Sequence, residues 1–218
     1  MAFELKIENK VALITFDDGK VNAVGFSLID ALNAALDEAE QNADAVVMYG
    51  GADKFCGGFD LSVMKAEDKT EQIKLVQAGA DLIVRLYGYP KPLIVAAEGH
   101  SIALGAIFLM AADLRIGKDG DTKYGLTETA IGMVLPAFGM ELAKSRLAPT
   151  SLTEALLFSR VYQGKDAVKV GYLDAAVPQE QVLATAMGYA EKLKMLPAKA
   201  FAESKLQLRK ETLSKMRG

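Results

Sequence analysis

Two glycine-bearing turns hold the residues best placed to do chemistry: Gly50 to Leu61, reading GGADKFCGGFDL, and Glu98 to Ala106, reading EGHSIALGA. Each leaves a compact apolar run and enters a helical pattern. Such turns set free backbone N–H groups at the carboxyl end of a sheet, where α/β proteins bind ligands. Neither contains GxxxxGKS/T, and no GxGxxG follows a strand, so neither reads as a nucleotide-phosphate cradle. One such turn alone is only a tight turn. Two together can aim one N–H each at a single oxygen and form an oxyanion hole, where the loss of one donor typically costs about 10²–10³ in rate.

Other reactive types are scarce. The chain has one cysteine, Cys56, and one histidine, His100. That excludes an intramolecular disulfide, a Cys-rich zinc site and the two-histidine HExxH hydrolases. Cys56, without a matching histidine, reads as a small packed loop residue, and His100 as a loop histidine making structural hydrogen bonds. Asp113 and Arg115, after an apolar helix, are expected to fix chain geometry.

The elements that must position the two turns follow from periodicity. Phe3, Leu5 and Ile7, then Val11, Leu13 and Phe16, flank Glu8, Asn9 and Lys10, which predicts a hairpin. From Ser27 the period lengthens: Leu28, Ile29, Leu32, Ala35, Leu36 and Ala39 share a helical face, with Ser27 and Asp30 as a cap pattern. Ala45 to Tyr49 predicts a buried strand ended by Gly50. A helix opening at Thr70 puts Ile73, Val76, Ala80, Ile83 and Val84 on one face and ends at Gly88 and Pro90. Pro92 to Ala97 predicts a second buried strand, followed by an apolar helix through Ala112 and a short strand, Leu114 to Gly117. This alternation predicts a wound α/β core with right-handed crossovers. Ser151 to Phe158, Lys165 to Val170 and the run from Val182 to Leu193 predict helices in the final third.

At 218 residues the chain can bury roughly 70% of its unfolded surface. Hydrophobic residues at 51% and charged ones at 24% mark it as globular rather than disordered. A net charge of -3 argues against a general nucleic-acid footprint. The opening MAFELKIENK has acids where a signal peptide needs bases, and the longest apolar stretch, Ile102 to Ala112, is too short to cross a bilayer. The expectation is a soluble, cytoplasmic protein with neither nucleic-acid nor membrane partners. The cations Lys192, Lys194, Lys199, Lys205, Arg209, Lys210, Lys215 and Arg217 read as a solvated helical face.

Phe55-Cys56-Gly57-Gly58-Phe59-Asp60-Leu61 resembles the first oxyanion-hole motif of the crotonase superfamily, the enoyl-CoA hydratases and isomerases. Val95-Ala96-Ala97-Glu98-Gly99, leading to Ala112-Asp113-Leu114-Arg115-Ile116, resembles the second. Gly19-Lys20-Val21-Asn22-Ala23 resembles the early segment that lines the CoA site. Tyr124-Gly125-Leu126-Thr127-Glu128, with Gly132 in register, resembles the stretch that presents a catalytic glutamate. The four run in order between about Val11 and Val177.

The resemblance implies a crotonase-like (ββα) α/β core over residues 1–178. A short helical C-terminal extension, 179–218, belongs to the same domain and serves trimer contact and CoA wall. It implies an acyl-CoA thioester substrate held by Val21, Ala23, Cys56, Gly57, Gly58, Asp60 and Leu61, with oxyanion donors at Phe59 and Leu104 and Glu128 as base. It further implies a homotrimer or hexamer, with no metal and no cofactor beyond the CoA of the substrate. Hydratases carry another glutamate on the helix after the second loop. Here that position is Ile107, apolar as in the isomerases. The implied reaction is the shift of a 3-enoyl-CoA to a 2-enoyl-CoA through a dienolate. Enoyl-CoA hydration is the alternative, should Glu98 or Glu154 reach the site. Non-catalytic acyl-CoA binding is the alternative of another class, suggested by Leu104 in place of a glycine.

Overall fold

The computed structural model describes residues 2–51, 53–67 and 69–217. The chain opens with β1 (Ala2–Glu8) and β2 (Val11–Asp17), antiparallel, with Glu8 opposite Val11. Asn9 and Lys10, at φ 48° and 65°, form the two-residue turn whose twist matches such a hairpin. Helix α1 (Phe26–Asn42) buries the face its spacing predicts, Leu28 to Ala39. Its start differs from expectation. Gly25 is the N-cap and no side chain caps it, so Ser27 and Asp30 lie inside the helix.

β3 (Ala45–Tyr49) leads to β4 (Lys54–Cys56), α2 (Leu61–Met64) and α3 (Lys69–Tyr87). Then come β5 (Leu93–Ala97), β6 (His100–Ile102), α4 (Leu104–Ala111), β7 (Leu114–Lys118) and β8 (Lys123–Gly125). A 3₁₀ turn at Thr129–Ile131 precedes α5 (Ala137–Arg146), and a π-helical turn at Thr153–Leu157 precedes β9 (Tyr162–Gln163). The chain closes with α6 (Gly164–Val170), β10 (Ala175–Val177), α7 (Gln179–Leu193) and α8 (Ala198–Met216).

The main sheet runs β1-β2-β3-β5-β7-β10, parallel except for the hairpin. Its central strands are apolar throughout because both faces are covered, as parallel sheets require. Val46, Met48, Leu93, Val95 and Ala97 point into the larger core with α1, α3 and α4. Val47, Ile94, Ala96 and Ile116 pack under Val182, Ala186 and Ala190 of α7. A second sheet, β4-β6-β8-β9, was not foreseen. Its strands are two or three residues long, too short to show a period. Among the described residues no helix is long and apolar enough to cross a membrane.

Candidate active site

The second sheet brings three remote segments together. Its strands β4, β6 and β8 are parallel, with Cys56, Ser101 and Tyr124 side by side on one rung. Three residues beyond that rung stand Phe59, Leu104 and Thr127, and Glu128 follows. All four line one cavity of about 210 Å³, as does Ile107.

The two backbone donors are set by local hydrogen bonding. Phe59 is bridged to Val24: the Val24 N–H donates to Gly58 O at 2.8 Å, and the Asp60 N–H to Val24 O at 3.0 Å. In that parallel pattern the intervening residue's own N–H faces away from Val24. Leu104 is the first residue of α4, so its N–H is among those a helix leaves unpaired. Ala103, just before it, has φ 53° and ψ -121°, a conformation that costs a non-glycine residue about 1–3 kcal/mol. The conformational penalty of the second loop therefore sits at Ala103 and not at Leu104, which is already helical. The Ala103 N–H donates to Gly125 O at 3.0 Å, tying this loop to the glutamate segment. Gly58, at φ 116°, faces Ala103 so closely that a Cβ on it would meet the alanine methyl at 3.4 Å.

Glu128 is 8% exposed, and its Oε2 has no hydrogen-bond partner among the described residues. Burial pushes its carboxyl above the ordinary range, more than the backbone amides of Glu128 and Thr127 pull it down. Ile107, buried in α4 and next to Gly139 of α5, lines the same cavity. Glu98 instead bonds Tyr49, and Glu154 pairs with Arg160. Among the described residues Glu128 is the one carboxylate lining the cavity.

The remaining expected residues divide. Gly57, Gly58 and Leu61 line the cavity. Val21 and Ala23 lie on the adjoining loop, whose Val21 O accepts from Gly57 N–H at 2.8 Å. Cys56 is buried, its thiol pushed up to about 12 by burial, and its carbonyl lies where any Cβ on Gly105 would clash. The Asp60 carboxylate caps α2, accepting from Ser62 N at 2.8 Å and Ser62 Oγ at 2.7 Å. His100 Nδ1 accepts from Lys123 N–H at 3.0 Å, a structural role as expected.

Two supporting residues escaped the sequence reading. Asn22, buried at φ 52°, donates to the carbonyls of Gly50, Lys54 and Phe55 and accepts from Asp18 N–H, clamping the early loop to β4. Gly79 of α3 leaves room for the Phe59 ring. The first lies in the Gly19–Ala23 segment likened to the family's early motif, where nothing marked its clamping role, and nothing local marked the second. A polar pocket of about 290 Å³ next to the early loop is lined by Lys20 and Lys54 together with Asp17 and Asp53.

Two loops and a buried carboxylate, presented by a short parallel sheet, thus meet at one cavity. A family model described as enoyl-CoA hydratase/isomerase matches residues 6–217. The chain belongs to that family, within the crotonase superfamily. An enoyl-CoA isomerase structure from Mycobacterium tuberculosis superposes with TM-score 0.94 at 33% identity, over 99% of this chain and 94% of that one. An enoyl-CoA hydratase from Mycobacterium marinum gives TM-score 0.94 at 35% identity over the same shares. The short-chain-enoyl-CoA hydratase of Clostridium acetobutylicum is 28% identical, over 87% of this chain and 74% of its own. The peroxisomal fatty acid β-oxidation multifunctional protein AIM1 of Arabidopsis thaliana is 31% identical over 83% of this chain, which spans only 25% of that larger protein.

Proposed function

We propose that this family enzyme shifts the double bond of a 3-enoyl-CoA to the 2-enoyl position. The observation that carries the reading is that Glu128 is, among the described residues, the single carboxylate lining the cavity, with the apolar Ile107 in the same lining. Removing a proton from C2 drives charge onto the thioester oxygen. The Phe59 and Leu104 N–H groups are fixed dipoles that hold that charge without reorganising during the reaction. Glu128 takes the C2 proton on its unpartnered oxygen. Delivered to C4 of the dienolate, the same proton completes an isomerisation in which no atom is gained or lost. Hydration would require a water to be held and split, and Ile107 can neither orient it nor carry a proton.

The CoA portion is proposed to lie along Val21, Ala23, Gly57 and Leu61. On this reading the reaction needs no metal or further cofactor, and the protein works as a trimer or hexamer in the cytoplasm. Hydratase names among the curated relatives favour hydration as the second reading. Incubation with a 3-enoyl-CoA and, separately, a 2-enoyl-CoA decides between them. Conjugated absorbance from the first without added mass is the expected result. Gain of a water mass on the second makes the protein a hydratase, and no change in either favours a non-catalytic acyl-CoA binder.

A further inference from the structure

The apolar face expected of α3 divides in two. Leu75, Gly79, Leu82, Ile83, Val84 and Leu86 are buried in the core, whereas Ile73 is 69% exposed. Val76 and Ala80, partly buried against that core, form with the outer edge of Val84 a stripe at i, i+4 and i+8 that lines an open groove of about 620 Å³. Eight residues of helix make that stripe about 12 Å long. Pro136 and Phe138 form the facing wall, and Met216 of α8 also lines the groove. The polar residues at the rim satisfy one another: Gln77 donates to Asp81 at 3.0 Å, and Arg85 bonds Asn33 and Asp37.

Val76, Pro136 and Phe138 also line the cavity that holds Glu128, so the groove adjoins the site. The 210 Å³ cavity is smaller than the roughly 300–1,000 Å³ of most small-molecule sites, and a thioester head with a short chain would fill it. A longer chain must leave it, and the neighbouring apolar stripe is where hydrocarbon gains by escaping water. We infer that this groove takes the distal part of the acyl chain, which makes the substrates medium- to long-chain acyl thioesters. The inference rests on the acyl-CoA reading above.

The test measures, by calorimetry, the affinity of the full chain for butanoyl-, octanoyl- and dodecanoyl-CoA, saturated ligands that bind without turnover. A half-buried methylene adds about twofold in affinity, so dodecanoyl-CoA is expected to bind about tenfold or more tighter than octanoyl-CoA. Ala80→Phe, which fills the middle of the stripe, is expected to cancel that gain and leave butanoyl-CoA affinity unchanged. If Ala80→Phe does not fold, the near-isosteric Val84→Thr makes the stripe polar and is expected to reduce the gain severalfold. An affinity that levels off at butanoyl-CoA, or a gain that survives both variants, overturns the groove and leaves the acyl-CoA reading standing. Affinity for none of the three, in protein with native circular dichroism, overturns the acyl-CoA reading and the groove with it.

Discussion

At the scale of the residue, Glu128 is held in conflict. Burial opposes its charge, and among the described residues its Oε2 has no partner to offset that cost. A base so placed is strengthened, because a raised pKa makes it a better proton acceptor once ionised. The acid limb of the rate profile is therefore expected above the ordinary carboxylate pKa. Because the folded carboxyl binds its proton more tightly than the unfolded one, stability falls as pH rises from the unfolded pKa through the folded one. Glu128→Gln removes both the base and the buried charge. Turnover is expected to drop by about 10²–10⁴, while the melting temperature at neutral pH rises by about 2–4 °C, the shift that about 1 kcal/mol gives a chain of this size. Full turnover in this variant would take Glu128 out of the mechanism, and a lower melting temperature would refute the account of its burial.

At the scale of the element, what positions the site is a set of strands too short to announce themselves. Ala103 shows the consequence. Its backbone is bent just before Leu104, and its own N–H bond to Gly125 holds the bend. Ala103→Gly should release the strain of about 1–3 kcal/mol at an entropic cost of about 0.5–1 kcal/mol. Urea unfolding is thus expected to give a gain of about 1 kcal/mol with an unchanged m-value. A loss would mean that alanine sits there without strain. Local pattern was enough for the hairpin, for α1, for the short strand β7, and for β3 and β5, whose burial on both faces leaves uninterrupted apolar runs. Pattern was not enough where partners are remote. The rung of Cys56, Ser101 and Tyr124 joins segments far apart in sequence. The stripe of Val76, Ala80 and Val84 has the same spacing whether it faces a core or a groove. Phe59, Leu104 and Glu128 were placed through family motifs, since an isolated acid near a turn carries no sign of its burial.

At the scale of the whole molecule, α8 is fastened by charges that sequence alone assigned to solvent. Lys205 and Arg209 are buried, and both reach Asp113, at 2.6 and 2.9 Å. Asp113 also accepts from Leu93 N–H at 2.8 Å, so one carboxylate joins α8 to the start of a central strand. Arg209 donates further to Tyr87 O at 2.7 Å. Burial lowers Lys205 to about 8, against the upward pull of Asp113. Between that value and the unfolded 10.5 the unfolded chain binds more protons, so stability is expected to rise with pH across this window. Asp113→Ala leaves two buried cations without their counter-ion, which is expected to cost about 3–5 kcal/mol. The deficit should be smaller at pH 9 than at pH 7, because Lys205 then sheds its proton more readily. Urea midpoints at the two pH values test this, and an equal deficit at both would mean that Lys205 is not the group left stranded. Since Met216 of α8 lines the groove beside α3, the same variant is expected to lose affinity for dodecanoyl-CoA before it loses affinity for butanoyl-CoA. That order ties the ion pairs that fasten α8, one of which reaches Tyr87 of α3, to the length of chain accepted.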